Sequence, residues 1–129
     1  MNRTLGLVPI VWRLLCIFAL PAATISAQAS EASIESRTAK IDNVQLHYLT
    51  AGKGPAVLLV HGYAETSRMW RPIIPTLAKR FAVIAPDLPG IGDSSIPSDK
   101  IDMITSAERI HGLAHSLGVE KARVVGHDI

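Results

Sequence analysis

An α/β open sheet, with parallel strands joined through helices and an antiparallel hairpin at one edge, is the fold class the sequence predicts. Three observations predict it. Continuous apolar runs at Ala56–Val60 and Phe81–Ala85 are too short for helices and are bounded by turn residues, as strands buried on both faces are, and Ala122–Val125 reads as a third strand. Stretches with helical spacing stand between these runs, and that alternation implies crossover connections and a parallel sheet. Ahead of the first run, Thr38–Ile41 and Val44–Leu49 favour extended chain and flank Asp42-Asn43, which is hairpin-turn chemistry.

Met1 to Ala29 stands apart from this fold. Arg3 and Arg13 precede the apolar run Leu14–Leu20, and Ala27-Gln28-Ala29 is an A-x-A pattern. This is the layout of a secretory signal peptide cleaved after Ala29, with Ala27 as the alternative. A spanning helix needs about 20 apolar residues, and Arg13 and Pro21 confine this run to roughly half of that. The mature chain is therefore expected to be secreted or periplasmic, with no membrane association after cleavage. About 100 residues then remain, enough for one small domain.

Charge and cysteine content narrow the classes of function. Of the 13 basic and 11 acidic residues, only Arg3 and Arg13 fall within 1–29, so 11 of each remain and the mature charge is near zero. A basic nucleic-acid footprint is absent. The single cysteine, Cys16, lies in the signal, so the mature chain has no disulfide, thiolate nucleophile or cysteine metal site. Hydrophobic residues at 48% and charged residues at 19% suit a packed core rather than a disordered chain.

Residues 30–36 are small and polar and are read as a flexible leader, with the core starting at 37 and running to 129. The hairpin is closed by Gly52-Lys53-Gly54-Pro55, and Ala56–Val60 follows as the first buried strand. After His61-Gly62-Tyr63, Thr66 or Ser67 can cap a helix whose apolar positions are Met69, Trp70, Ile73, Ile74 and Leu77. Pro72 is tolerated in a first turn, whereas Pro75 is expected to kink or delay the helix. Phe81–Ala85 is the second buried strand, stopped by Pro86, and 87–100 is a long polar loop. The spacing predicts a second helix over Ile101–Leu117, with Ile104, Ala107, Ile110, Leu113, Ala114 and Leu117 on its packed face and Gly118 closing it. Ala122–Val125 then runs into Gly126-His127-Asp128-Ile129.

In open α/β sheets the chemistry sits at the carboxyl ends of the strands, which is where His61-Gly62, Asp87 and Asp128 fall. Gly126-His127-Asp128 matches the first half of a nucleophile elbow, G-x-Nuc-x-G, with aspartate as the central residue. A carboxylate needs no base to attack an electrophilic carbon, but the ester it forms must later be hydrolysed with the help of one. Asp128 could also simply cap a following helix. His61-Gly62 stands where a backbone N–H of an oxyanion hole belongs, and its glycine permits close approach to a neighbouring elbow. Asp87 to Ser94 is a glycine-punctuated loop in which Asp87 is expected to hold backbone amides. It is not a phosphate cradle, because the residue three beyond Gly92 is Ser95 and no P-loop lysine follows. His111 and His115, at i and i+4, lack a third ligand and read as a solvated helix face. His47 is expected on a strand surface, His61 in a structural role and His127 as filler of the elbow. No metal or cofactor is expected.

His61 to Thr66, Asp87 to Ser94 and Val125 to Ile129 together resemble α/β-hydrolases of the epoxide hydrolase and haloalkane dehalogenase branch, over residues 37 to 129. The resemblance implies the N-terminal part of an α/β-hydrolase sheet. It implies Asp128 as the alkylated nucleophile, backbone N–H groups of Tyr63 and Ile129 as the oxyanion hole, and a small-molecule substrate. Haloalkane dehalogenases of this branch usually carry Asn and Trp where this chain has Tyr63 and Ile129, and fluoroacetate dehalogenases tend to carry Arg at the latter position, so epoxide hydrolysis is favoured. Ala64 stands where many epoxide hydrolases have proline. The sequence stops at Ile129 and is expected to be truncated at the elbow, with the family's general-base histidine, acid partner, cap and epoxide-protonating tyrosines later in a longer chain. Such a fragment alone is expected to be inactive and marginally stable. The alternatives are a haloalkane or haloacid dehalogenase, another α/β-hydrolase, and a truncated remnant or non-enzymatic binding module.

Overall fold

A computed structural model describes residues 33–128; the expected signal peptide, the first residues of the leader and Ile129 lie outside them. Five strands form one sheet: β1 (Glu35–Ile41), β2 (Val44–Ala51), β3 (Ala56–Val60), β4 (Ala82–Pro86) and β5 (Ala122–Gly126), in the order β1-β2-β4-β3-β5. The first two strands are the expected hairpin. β2 pairs antiparallel with β4, and β3 pairs parallel with both β4 and β5. The predicted α/β sheet with an antiparallel edge is thus the observed one. β1 begins two residues before Arg37, inside the stretch read as leader, because Glu35 and Ser36 pair with Thr50 and Leu49.

Both faces of the central strands are covered, which is why their sequences are apolar without alternation. On one face Leu49, Val57, Leu59, Val83 and Ala85 pack with Trp70, Ile74 and Ala78; on the other Leu46, Tyr48, Leu58 and Ile84 pack with Ile110, Leu113 and Ala114. The connection after β3 therefore lies on one face and the connection after β4 on the other. Open sheets form their carboxyl-end crevices where connections diverge in this way.

The single helix expected after Thr66 is broken into a 3-10 turn, Ser67–Trp70, and the short helix α1, Ile74–Leu77. Thr66 does cap the first piece, its hydroxyl accepting from the Arg68 amide at 3.3 Å. Pro72 and Pro75 cannot donate to the carbonyls four residues earlier, so the pieces cannot merge, and Pro75 sits in the first turn of α1, where its missing N–H costs nothing. The break also turns Ile73 outward, to 43% exposure, although Trp70 and Ile74 stay buried.

The second helix, α2 (Met103–Ser116), starts two residues later than predicted, behind Asp102, whose carboxylate accepts from the Thr105 amide at 2.8 Å. Its buried face is Ser106, Arg109, Ile110, Leu113 and Ala114, so Ile104, Ala107 and Leu117 are exposed instead of packed. Arg109 is a charged member of that buried face. Its stem lies in the core while its guanidinium donates to Asp99 Oδ1 at 2.6 Å, Lys100 O at 3.1 Å and Asn43 Oδ1 at 3.3 Å, joining the helix to the preceding loop and to the hairpin turn. Replacing Asp102 by alanine is expected to cost about 1 kcal/mol of stability, with Asp102→Asn close to wild type, as measured by urea unfolding.

Candidate active site

The register aligns Val60 with Gly126, so β3 and β5 end level with each other and their loops meet. His127 donates its amide to the Val60 carbonyl at 3.1 Å, extending the ladder by one bond before the chain turns. Asp128 then adopts a left-handed backbone, φ 50°. For a non-glycine residue this costs roughly 1–2 kcal/mol, although Asp tolerates it better than most, and such strain gathers at functional turns. The side chain of Asp128 is exposed at this turn.

The facing loop is built around Gly62. A Cβ at this position would overlap the main-chain oxygens of His127 and Asp128, so only glycine lets the two loops come this close. The Tyr63 amide points across the gap, 3.4 Å from the main-chain carbonyl oxygen of Asp128, while the tyrosine ring is 86% exposed among the described residues. Ala64 is also left-handed, φ 59°, so the two loops each carry one strained residue beside the same gap. Ile129, the other expected oxyanion donor, lies outside the described residues. Replacing Gly62 by alanine is expected to cost about 1–3 kcal/mol through overpacking against main chain, and to lower turnover of the whole protein about 100-fold by displacing the Tyr63 amide. Urea unfolding and steady-state kinetics on the same preparation check both.

His61, expected in a structural role, is fully buried. Its Nδ1 lies 3.0 Å from the Gly62 carbonyl, and its Nε2 accepts from the Leu88 amide at 3.0 Å. His127 is more than filler: its Nδ1 lies 3.0 Å from Glu65 Oε2, tying the elbow to the loop after β3. His111 and His115 are exposed on α2, as read from the sequence.

His47 is the clearest correction. Instead of lying on a strand surface it is 5% exposed, with Nδ1 2.8 Å from Asp87 Oδ2 and Nε2 2.7 Å from Ser36 Oγ. β2 is not an edge strand, since β4 covers its far side and both its faces are packed. Asp87, 1% exposed, also accepts from the Ser67 amide at 2.6 Å and the Asp93 amide at 2.9 Å, which is the amide-holding role expected of it. Burial alone would push its carboxyl up, but the Asp93 and Ser67 amides and the His47 ring outweigh that and hold it below the ordinary carboxylate value. His47, Asp87 and Asp93 bring ligand atoms within 4.8 Å of one another. The Asp87 oxygens already have these three partners and Asp93 pairs with Arg68 at 3.0 Å, so the group knots two loops together rather than presenting free metal ligands. A separate groove of about 410 Å³ beside α2, lined by Leu58, Leu88, Ile110 and Val124 among others, includes none of Tyr63, His127 and Asp128.

A mixed sheet whose last described strand ends in a strained Gly-His-Asp turn, faced by a His-Gly loop, defines a class. The chain belongs to the alpha/beta hydrolase fold family, whose model matches residues 55–129. It is 43% identical over 95 residues to the soluble epoxide hydrolase of Corynebacterium sp. (strain C12), covering 74% of this chain and 33% of that protein. A fluoroacetate dehalogenase of Burkholderia sp. is 34% identical over 99 residues, covering 73% and 33%. Among solved structures, the epoxide hydrolase CorEH without ligand superposes with a TM-score of 0.72 at 43% identity, covering 74% of this chain and 34% of that one. The chain thus spans about a third of the length of these relatives.

Proposed function

We propose that the whole protein is an epoxide hydrolase that works through an ester on Asp128. The observation that carries this reading is the left-handed Asp128 at the end of β5, exposed and level with the Tyr63 amide. The similarity to a soluble epoxide hydrolase supports an epoxide as the substrate class. In the first half-reaction a carboxylate oxygen of Asp128 attacks an epoxide carbon. The C–O bond to that carbon breaks, and the ring oxygen leaves with its electron pair and takes a proton, giving a hydroxyalkyl ester. In the second, water adds to the side-chain ester carbon (Cγ) of Asp128 and a base removes its proton. The carbonyl electron pair moves onto oxygen beside the Tyr63 and Ile129 amides. Collapse expels the alkoxide, which is protonated to the diol, and the carboxylate is restored.

Of the described histidines, His47 and His61 have both ring nitrogens engaged, so neither is free to act as that base. Residues 30–129 by themselves are expected to lack turnover, the base being supplied from elsewhere in the whole protein. We also place the mature protein in the periplasm or outside the cell, on the sequence of Met1 to Ala29, acting on small molecules without a cofactor.

Mixing the whole protein with excess epoxide, quenching in acid and analysing peptides by mass spectrometry tests the reading. A mass increase equal to the epoxide on Asp128 is expected, and diol release without any adduct there would overturn it. The dehalogenase similarity gives a second reading, carbon–halogen attack by the same carboxylate. Halide release without diol formation from epoxides would favour it.

A further inference from the structure

We infer that His61 is a positioning residue that sets the oxyanion-hole peptide through one fixed tautomer, an inference that rests on the proposed ester mechanism. Leu88 N–H can only donate, so Nε2 of His61 is the unprotonated, accepting nitrogen. The Gly62 carbonyl can only accept, so Nδ1 carries the hydrogen and donates to it. The two partners demand the same neutral tautomer, and the ring is fully buried between them, with water excluded.

The carbonyl of Gly62 and the N–H of Tyr63 belong to one peptide unit. That unit is planar and trans, so fixing its oxygen fixes the direction of its N–H, which points the opposite way. His61 Nδ1 at 3.0 Å and the Glu65 amide at 3.4 Å hold the oxygen, and the Tyr63 N–H on the far side faces the Asp128 turn. Because Gly62 has no side chain to resist rotation of this peptide, the hydrogen bond from His61 supplies the restraint. The Leu88 amide in turn fixes the ring through the residue that follows Asp87. The orientation of the oxyanion donor is thereby referred to the loop after β4, not to its own exposed loop alone.

Charge accumulates on the side-chain ester oxygen of Asp128 during ester hydrolysis, not during alkylation, when the carboxylate loses charge. Loss of positioning should therefore slow the second half-reaction selectively. Two substitutions separate the two bonds. His61→Asn places an amide N–H near Nδ1 and keeps the donor to Gly62, whereas His61→Gln can keep an acceptor for Leu88 but not that donor. In single-turnover experiments on the whole protein, His61→Gln is expected to slow hydrolysis of the Asp128 ester about 100-fold, with alkylation little changed, so that ester accumulates. His61→Asn should retain most of the wild-type hydrolysis rate even though it also loses a core contact. Equal behaviour of the two variants, or a proportional fall in both half-reactions, would overturn the inference. Absence of any ester on wild-type Asp128 would instead defeat the proposed mechanism. The ¹⁵N shifts of the His61 ring then decide separately whether the restraint exists: a protonated Nδ1 with a bare Nε2 supports it, and the opposite tautomer removes it.

Discussion

Asp128→Asn is expected to abolish adduct formation and to lower turnover of the whole protein by on the order of 10⁴-fold or more, the scale seen when a covalent nucleophile is removed from an enzyme whose other groups remain. Asparagine occupies the same volume but offers a neutral amide oxygen, which is a poor nucleophile toward an alkyl carbon. It also tolerates a left-handed backbone about as well as aspartate, so the turn at φ 50° should persist. Asparagine is nearly isosteric with aspartate, and such volume-conserving changes disturb packing little. The urea midpoint should therefore stay near wild type while activity collapses. A folded Asn variant with substantial turnover would mean that the nucleophile lies elsewhere. A variant that both unfolds and loses activity would be explained by the turn alone, and Asp128→Ser, which also keeps a small polar side chain there, would then be the control.

The strands and the site-bearing loops were legible because the information that specifies them is local. A five-residue apolar run between turn residues reads as a buried strand wherever it pairs, and Gly-His-Asp at the end of a strand reads as a tight turn from three letters. What was not legible depends on distant partners. His47 looked like a surface residue because Leu46 and Tyr48 beside it supply an apolar face. Its burial follows from the pairing of β2 with β4, where Tyr48 is opposite Pro86. Glu65 and His127 meet across 62 residues of chain. The burial of Arg109 has no sign in the helical pattern, since periodicity counts apolar residues and cannot see that a guanidinium has acceptors waiting at Asn43, Asp99 and Lys100. Pro75 did signal a disturbed helix, but the extent of the break followed from Pro72 and Pro75 acting three residues apart.

Asp87→Ala is expected to be the most destabilising single change in the described fold, at about 3–5 kcal/mol near pH 7, the range for removing one partner of a buried charged network. The carboxylate accepts from two amides and faces the His47 ring, and each would be left buried without its partner. The loss also reaches the candidate site, because the Asp87 main chain joins His47, Ser94 and, through Leu88, His61. The pH dependence carries a distinct signature. Asp87 is held below its ordinary value in the folded chain, so the unfolded chain binds its proton first as the solution is acidified. Its contribution is therefore complete above the unfolded carboxylate value near 4 and is lost as pH falls through the lower folded value. Wild-type stability should drop over that acid window, the Ala variant should show a shallower drop, and the gap between them should narrow. Urea unfolding at pH 7, 4 and 3 measures this. A gap that stays constant down to pH 3 would show that packing around Asp87, rather than its charge-assisted bonds, holds the two loops together.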